Sequence, residues 1–318
     1  MKLFRIKPEY FQKFSAAMVA YSLFVILWGA FVRISNSGDG CGKSWPLCHN
    51  SIIPSTKHLP TWIEYGHRLT SGIYGILILF LVITAFASFP KKHFVRKIAV
   101  ASGVLTITEA LLGARLVLAG LVGANASIER AVTMSIHLIN SLFLVAVLVL
   151  LYDWSKERIY KVKFSEFKAK TISFSAVITF LVIGTSGTIA ALSTTLFPAE
   201  SLLSGVLADF SKSSHFLVRV RITHPLSATF LGVVLITLTY LAYIKSKDEC
   251  LKFRTTVLMG LIPAGIGIGY STLFLLSPLF LKLLHLSWAY FIWTGLILCI
   301  SRAIQLNFQV IPQDCGVE

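Results

Sequence analysis

The stretch HRLTSGIYGILILFLVITAF, residues 67–86, decides the fold class of this chain. After its opening histidine and arginine it contains no charged side chain, and its length is what a helix needs to cross a lipid bilayer. A similar stretch, HPLSATFLGVVLITLTYLAY, begins at residue 224. Because lipid cannot satisfy backbone polar groups, such stretches must be helical. The sequence therefore predicts an all-α integral membrane protein.

The rest of the chain has the same apolar character. Of its 318 residues, 55% are hydrophobic and only 14% are charged, whereas a soluble domain carries about 25% charged residues. The apolar runs that are long enough to form transmembrane helices number eight. They lie at residues 14–34, 62–89, 98–121, 131–152, 172–195, 216–244, 255–277 and 280–302.

The distribution of positive charge indicates an orientation in the membrane. A formal net charge of +15 could suggest nucleic acid as a partner, but Lys and Arg collect before the first span and after the second, fourth and sixth spans. The other loops are poor in both residues, which is the positive-inside pattern. We therefore expect cytoplasmic N and C termini, no nucleic-acid partner, and a multi-pass protein of a prokaryotic cell (inner) membrane.

The chain is organised as two similar halves. HRLTSGIYGILILFLVITAF resembles HPLSATFLGVVLITLTYLAY, and SIHLINSLFLV (135–145) resembles LLHLSWAYFIW (283–293). Since four spans precede the second copy, both copies should have the same orientation. We predict two tandem four-helix bundles, with an N-terminal half at 1–153, a basic cytoplasmic linker at 154–171 and a C-terminal half at 172–318.

Four of the eight histidines lie inside predicted spans, one in each even-numbered span and about 5 to 10 residues from its outer end. One such residue alone could simply hydrogen-bond a neighbouring helix. Four at matching depth favour metal ligation, since imidazole binds zinc, copper and iron. The clustered carboxylates of a di-iron bundle are missing. One histidine from each of two facing helices suits a haem held between them, so the pattern predicts two haem sites, formed by His67, His137, His224 and His285.

An acid accompanies the first of these histidines. Glu64 precedes His67 by three residues, which places both side chains on one helix face. The corresponding position before His224 is Arg221, so only one of the two sites would contain a potential proton acceptor. Alternatively, Thr61 and Glu64 would form a capping box at the start of the helix. A second intramembrane acid, Glu109, could pair with Arg115 or face a cavity.

Two cysteines, Cys41 and Cys48, lie in the loop 35–61 that follows the first span. The predicted topology puts this loop on the outer face, where disulfides persist. We interpret the pair as a local disulfide that braces the loop over the helices. The spacing alone leaves a redox-active pair or two free thiols open.

Other features of the outer side would suit an anionic, flat ligand. Small-residue runs at 185–193 and 260–271 favour close helix packing or room for such a ligand. Residues 199–210 predict a short amphipathic helix that covers the second half. Arginine suits carboxylates, although some arginines at a membrane interface merely snorkel. The candidate partners for haem propionates are Arg33, Arg68, Arg115, Arg130, Arg219 and Arg221.

Several of these segments together resemble one known family. GAFVRISNSGDGCGKSWPLCHNSIIP (29–54), WIEYGHRLTSG (62–72), LLGARLVLAGL (111–121), SIHLINS (135–141) and ITHPLSA (222–228) are similar to the haem A synthase family. The likeness covers almost the whole chain, and its first two segments are specific to that family. It implies eight transmembrane helices and an oxidoreductase that converts the C8 methyl of haem O into the formyl group of haem A for terminal oxidases.

The resemblance also implies roles for particular residues. His67 and His137 would flank the substrate haem, while His224 and His285 would ligate the iron of a b-type haem cofactor. Glu64 matches the acid that assists methyl oxidation in the family. A haem O synthase and a membrane electron acceptor are the expected partners beside the lipid bilayer, and a homo-oligomer is compatible with the sequence.

The chain differs from the family pattern at two places. Cys41 and Cys48 match its first outer cysteine pair, but 196–213 lacks the second pair that some members have. Glu109 stands where the family pattern suggests a neutral polar residue. The first difference implies that a second disulfide is not required, and it weakens a redox role for the first pair.

Two other functions account for part of the pattern. A di-haem b-type membrane cytochrome that only transfers electrons would explain all four histidines and leave Glu64 as a helix cap. A two-repeat transporter with histidine proton relays would purify without colour, and the scarcity of acids within the spans argues against it. Whether the first haem is consumed and replaced separates the enzyme from the electron carrier.

Overall fold

The computed structural model describes residues 7–155 and 167–305. Within these ranges it contains helices and no β-strand, as the sequence predicted. The ten helices in chain order are α1 (Pro8–Ile34), α2 (Leu59–Ser88), α3 (Phe94–Leu118), α4 (Ile128–Trp154), α5 (Phe167–Leu196), α6 (Leu202–Phe210), α7 (Phe216–Arg221), α8 (Thr223–Lys245), α9 (Glu249–Phe274) and α10 (Leu279–Gln305).

Eight helical segments in the described ranges are long and apolar enough to cross a membrane, and they coincide with the eight predicted spans. Most begin a few residues earlier than the apolar run, because polar residues extend the helix past the hydrophobic stretch. The first begins at Pro8. Proline is favourable there because a backbone N–H in the first turn would have no acceptor within the helix, so its absence costs nothing. The prediction of a multi-span membrane protein is confirmed.

The sixth span consists of two helices, α7 and α8, which meet at Ile222. Pro225 explains the break. It lacks the N–H that would bond to the carbonyl of Arg221 four residues earlier, and its ring clashes with that carbonyl. The helix therefore ends at Arg221 and restarts at Thr223, one residue before His224.

The short helix predicted within 199–210 is α6, and it lies outside the set of spans. Ser201 caps it in a capping box with Ser204. Its apolar side chains remain exposed, Leu203 by 70% and Phe210 by 74%, whereas Asp209 is buried and forms an ion pair with Arg221. The helix is therefore fastened to the start of the sixth span by its polar face.

The helices of the described ranges fall into two groups that also contact each other. In the first group, α1 contacts α2 and α4, and α3 contacts both α2 and α4. In the second group, α8 contacts α5 and α9, and α10 contacts α9 and α5. Contacts of α4 with α5 and α10, and of α1 with α10, join the two groups. Large apolar side chains such as Ile76 and Phe230 are exposed on the outside, where lipid would cover them.

Several predictions concern features that this fold leaves untested. Residues 1–6, 156–166 and 306–318 lie outside the described ranges, and they include most of the basic linker and both termini. The tandem-repeat arrangement, the domain limits and the cytoplasmic side therefore stay predictions.

Candidate functional site: four histidines around one cavity

The four histidines of the spans line a single cavity of about 1320 Å³. They come from α2, α4, α8 and α10, each six to nine residues after the start of its span. Pockets for drug-sized ligands have volumes of about 300–1000 Å³, so this cavity is larger than one such ligand needs. Most of its lining is apolar, and it extends between both helix groups. The histidines are His67, His137, His224 and His285.

His224 and His285 face each other across the part of the cavity that lies in the second group. Their ring centroids are 6.1 Å apart with an interplanar angle of 66°. A metal–imidazole bond is about 2 Å long, so a single metal ion between two imidazoles requires centroids roughly 6 Å apart. Nδ1 of His224 lies 3.2 Å from the Ser186 hydroxyl, which leaves Nε2 for a metal ion. The pair therefore fits the two axial positions of a haem iron.

Glycines back three of the four rings. A Cβ atom on Gly29, Gly187 or Gly269 would lie 2.9 Å from Cε1 of His67, His224 or His285, respectively. A side chain at these positions would push the imidazole away, so the close approach requires glycine. Gly187 and Gly269 fall in the small-residue runs noted in the sequence, but their pairing with histidines was not predicted.

The fourth ring, that of His137, lies beside a carboxylate instead. Its Nδ1 is 3.4 Å from Oε2 of Glu109 on α3. Arg115, which the sequence offered as a partner for Glu109, forms an exposed ion pair with Glu129 at 3.0 Å. Glu109 lines the cavity. Of the two alternatives from the sequence, it therefore faces a cavity and does not pair with Arg115.

Glu64 also lines the cavity, and it is 3% exposed. Its Oε1 accepts from Nη2 of Arg68 at 2.5 Å, and its Oε2 accepts from the backbone N–H of Cys41 at 2.8 Å. The capping-box alternative is wrong. Helix α2 begins at Leu59, so Glu64 lies beyond the first turn, and the Thr61 hydroxyl donates to the carbonyl of Gly40 at 2.6 Å.

The loop before α2 contains a disulfide between Cys41 and Cys48, as predicted. Nη1 of Arg68 donates to the carbonyls of Ser44 at 2.6 Å and Leu47 at 2.5 Å. Trp45 and Pro46 of the same loop line the cavity. The loop is thus tied to α2 through Arg68 and covers one end of the cavity.

The remaining cysteines are separate from this loop. Cys250 is free and exposed, and Cys299 is free and buried. Cys315 lies outside the described ranges.

Four of the six candidate arginines line the cavity, namely Arg33, Arg68, Arg130 and Arg221; Arg115 and Arg219 do not belong to its lining. Two of the four already have acidic partners, because Arg68 pairs with Glu64 and Arg221 pairs with Asp209 at 2.6 Å. The other two have buried Nε atoms for which the described part of the chain supplies no hydrogen-bond partner.

A lysine that the sequence analysis missed joins these two arginines. Lys282 of α10 lines the cavity, and its charge interacts with that of Arg33, which in turn interacts with Arg130. Nη1 of Arg130 donates to the carbonyls of Gly123 and Asn125 at 2.6 and 2.7 Å, and Asp39 is the acid whose charge reaches it. Buried charges need partners, so this cationic cluster favours an anionic ligand.

Other metal chemistry has less support from the donor set. Among the described residues, no group of three or more His, Cys, Asp or Glu is placed to hold a metal ion. A haem needs only axial ligands because its porphyrin supplies the others. The histidine pairs, the large apolar cavity and the cationic cluster together fit haem groups.

Comparisons with known proteins agree with this chemistry. The model of the COX15-CtaA family, described as a cytochrome oxidase assembly protein, matches residues 12–297. A protoheme IX farnesyltransferase from Thermus thermophilus is 33% identical over 288 residues, which are 91% of this chain and 47% of that protein. A heme A synthase from Bacillus cereus is 39% identical over 112 residues, 35% of this chain and 36% of that protein. This chain therefore spans about half the length of the Thermus relative.

Proposed function

This chain belongs to the COX15-CtaA family, and from that premise we propose that it oxidises the C8 methyl of haem O to a formyl group and so produces haem A. One observation supports this proposal most directly. Four histidines line one cavity together with Glu64, which precedes His67 by three residues, whereas the corresponding residue before His224 is Arg221. A protein that only transfers electrons would not require an acid at one haem site and an arginine at the corresponding position of the other.

The two pairs would serve different haems. In this proposal His224 and His285 hold a b-type haem, which supplies one-electron transfer when bound. His67 and His137 would flank the substrate, haem O. The 6.1 Å separation of the second pair supports its ligating role.

Glu64 would act on the methyl group of the substrate. In this proposal each of two steps takes one oxygen atom from water and passes two electrons to the membrane acceptor. The first step gives an alcohol and the second a hydrated aldehyde that loses water, and each oxidation releases two protons. A carboxylate near the methyl can accept a proton or stabilise positive charge that develops on the carbon. The ion pair with Arg68 and the N–H of Cys41 fix the direction of this carboxylate, and the disulfide loop limits the access of water.

The cationic cluster would bind the carboxylate side chains of the substrate. Arg33, Arg130 and Lys282 lie near the ends of α1, α4 and α10 on the side of the disulfide loop. Haem propionates placed there would neutralise the three cations, of which Arg130 is buried, and fix the orientation of the porphyrin.

The opposite end of the substrate is an apolar farnesyl chain, and the cavity has a lateral route for it. Leu79 of α2 and Val104 of α3 line the cavity and are 61% and 55% exposed on the lipid-facing surface. A Cβ on Gly75, one turn before Leu79 on α2, would meet no atom within 4 Å. The farnesyl tail could therefore extend between α2 and α3 into the bilayer.

The partner for substrate supply would be a haem O synthase. The Thermus relative has the name protoheme IX farnesyltransferase and is about twice as long as this chain. We propose that the unmatched portion of that protein makes the farnesylated haem, and that a haem O synthase of the same kind supplies this chain. A membrane electron acceptor would receive the electrons, and the disulfide loop would face the outside of a prokaryotic membrane. The parallel contact order in α1–α4 and in α5, α8, α9 and α10 supports a tandem repeat.

The proposal is tested by extracting haem from cells that produce this protein together with a haem O synthase, followed by chromatography and mass analysis. We expect a formyl haem with the wild type, and its loss or arrest at the alcohol with Glu64→Gln and His67→Ala. Recovery of haem b and unmodified haem O alone from a folded, red wild-type protein would instead favour the di-haem electron carrier.

A further inference from the structure

The acid Glu109 lies within a transmembrane helix, and the proposed function does not use it. Its carboxylate faces α4: Nδ2 of Asn140 donates to Oε2 at 2.6 Å, and the Ser141 hydroxyl donates to Oε1. The Thr108 hydroxyl donates to Oδ1 of Asn140 at 2.7 Å, which directs the amide NH₂ towards the acid. These donors hold the carboxylate in one place.

His137 shares this arrangement because of its register on α4. Asn140 and Ser141 follow it by three and four residues, so all three side chains occupy one helix face. The same Oε2 atom that accepts from Asn140 lies 3.4 Å from Nδ1 of His137. This approach is not a hydrogen bond as it stands, because Nδ1 of His137 has no hydrogen-bond partner in the described part of the chain. A ring whose Nδ1 lies beside a carboxylate nevertheless presents Nε2 as its remaining ligand atom.

The other three cavity histidines have different surroundings. Glycine backbones lie against the rings of His67, His224 and His285. The hydrogen-bonding group beside Nδ1 of His224 is the neutral hydroxyl of Ser186. A carboxylate beside Nδ1 therefore distinguishes His137 within this set.

We infer that Glu109 is a positioning residue that orients His137 and makes it a more basic axial ligand than the other three histidines. The inference rests on the proposed function, because it takes His137 as a haem ligand. Carboxylates that accept from the second nitrogen of a ligating histidine fix its tautomer and raise its basicity. A more basic axial ligand stabilises ferric iron, so the first haem site should have a lower reduction potential than it would without the acid.

The inference is tested by redox titration of the purified full chain loaded with iron protoporphyrin IX, monitored by its optical spectrum. In Glu109→Gln we expect a higher potential for one of the two bound haems, an unchanged potential for the other, and a roughly 10–100-fold lower haem affinity at the affected site. Glu129→Gln makes the same chemical change at an exposed acid and should leave both potentials unchanged. Ser186→Ala should alter only the haem that Glu109→Gln leaves unaffected.

A second variant keeps the test informative if Glu109→Gln does not fold. Ser141→Ala retains the acid but removes one of the donors that hold it, so the carboxylate should turn more readily towards Nδ1 of His137 and lower the same potential. Unchanged potentials and affinities in the folded variants would overturn the inference. A wild type that binds two haems yet makes no haem A would refute the proposed function alone.

Discussion

The contact between Gly269 and His285 allows a quantitative prediction for the second histidine pair. In Gly269→Ala the new Cβ would lie 2.9 Å from Cε1 of His285, whereas carbon atoms pack at about 3.5–4.0 Å. The ring must therefore move by roughly 0.5–1 Å. Metal–ligand distances are held to within about 0.2 Å, so the moved ring can no longer ligate an iron that His224 also holds.

Gly267, two residues earlier on α9, provides a matched control. A Cβ there would meet no atom within 4 Å, so Gly267→Ala adds only the benefit of alanine in a helix, about 1 kcal/mol of unfolding free energy. Gly269→Ala has the same benefit but adds an overpacking cost of about 1–3 kcal/mol. The two variants should therefore differ by about 1–3 kcal/mol in stability, with Gly267→Ala the more stable.

The assay measures haem content per chain, the optical spectrum and the melting temperature of both purified variants. Gly267→Ala should keep the wild-type haem content and spectrum. Gly269→Ala should bind one haem at least tenfold more weakly, since about 1.4 kcal/mol corresponds to a factor of ten. If Gly269→Ala retained both haems with the wild-type spectrum, the assignment of His285 as an axial ligand backed by Gly269 would be refuted.

Three further predictions concern the loops and the cationic cluster. Replacing Cys41 by Ser should lower the unfolding free energy by about 2–3 kcal/mol, because the disulfide closes a short loop of the unfolded chain. Thermal melts of the variant and of the wild type, with and without reductant, would measure this difference. Equal melting temperatures in all samples would show that the disulfide does not contribute to stability. Asp248, in the loop before α9, has its pKa lowered chiefly by the hydrogen bond from Arg302. Its contribution to stability is therefore complete above the ordinary pKa near 4 and is lost as the pH falls through the lower folded pKa. Asp248→Asn should remove this part of the pH dependence of the melting temperature in acid, and identical wild-type and variant profiles would contradict the ion pair. Lys282→Met should weaken haem binding about tenfold, as the loss of one charge-assisted hydrogen bond would. The control Lys252→Met removes a partly exposed lysine paired with Glu249 and should leave haem binding unchanged. Equal haem affinities in the two variants would exclude Lys282 from propionate binding.

The helical architecture could be predicted closely from the sequence because hydropathy is a local property. Each span is defined by its own apolar run, and the eight runs reappear as eight helical segments. The Cys41–Cys48 disulfide was also predicted, from the placement of its loop on the outer face together with the short spacing. The capping role considered for Glu64 failed because it depends on where α2 begins, and α2 extends beyond the apolar run to Leu59.

The contents of the site could be predicted only in part. Four histidines at matching depth were evident from the sequence, and the structure places them around one cavity. Their glycine partners and Lys282 were not evident, since each is contributed by a different helix. Arg115 was a reasonable sequence partner for Glu109, but it points to the surface and pairs with Glu129.

The sequence by itself determined that the described part of this chain has eight helical segments long and apolar enough to cross a membrane, and that each even-numbered one contains a histidine. Only the tertiary structure decided that His224 and His285 face each other 6.1 Å apart, that Glu109 lies beside His137 and that three cations meet at one end of the cavity. The physical reason is that a residue's hydropathy sets where its helix runs, whereas its partners depend on how helix faces pack. Packing is a property of several segments together, which no single segment of the sequence encodes.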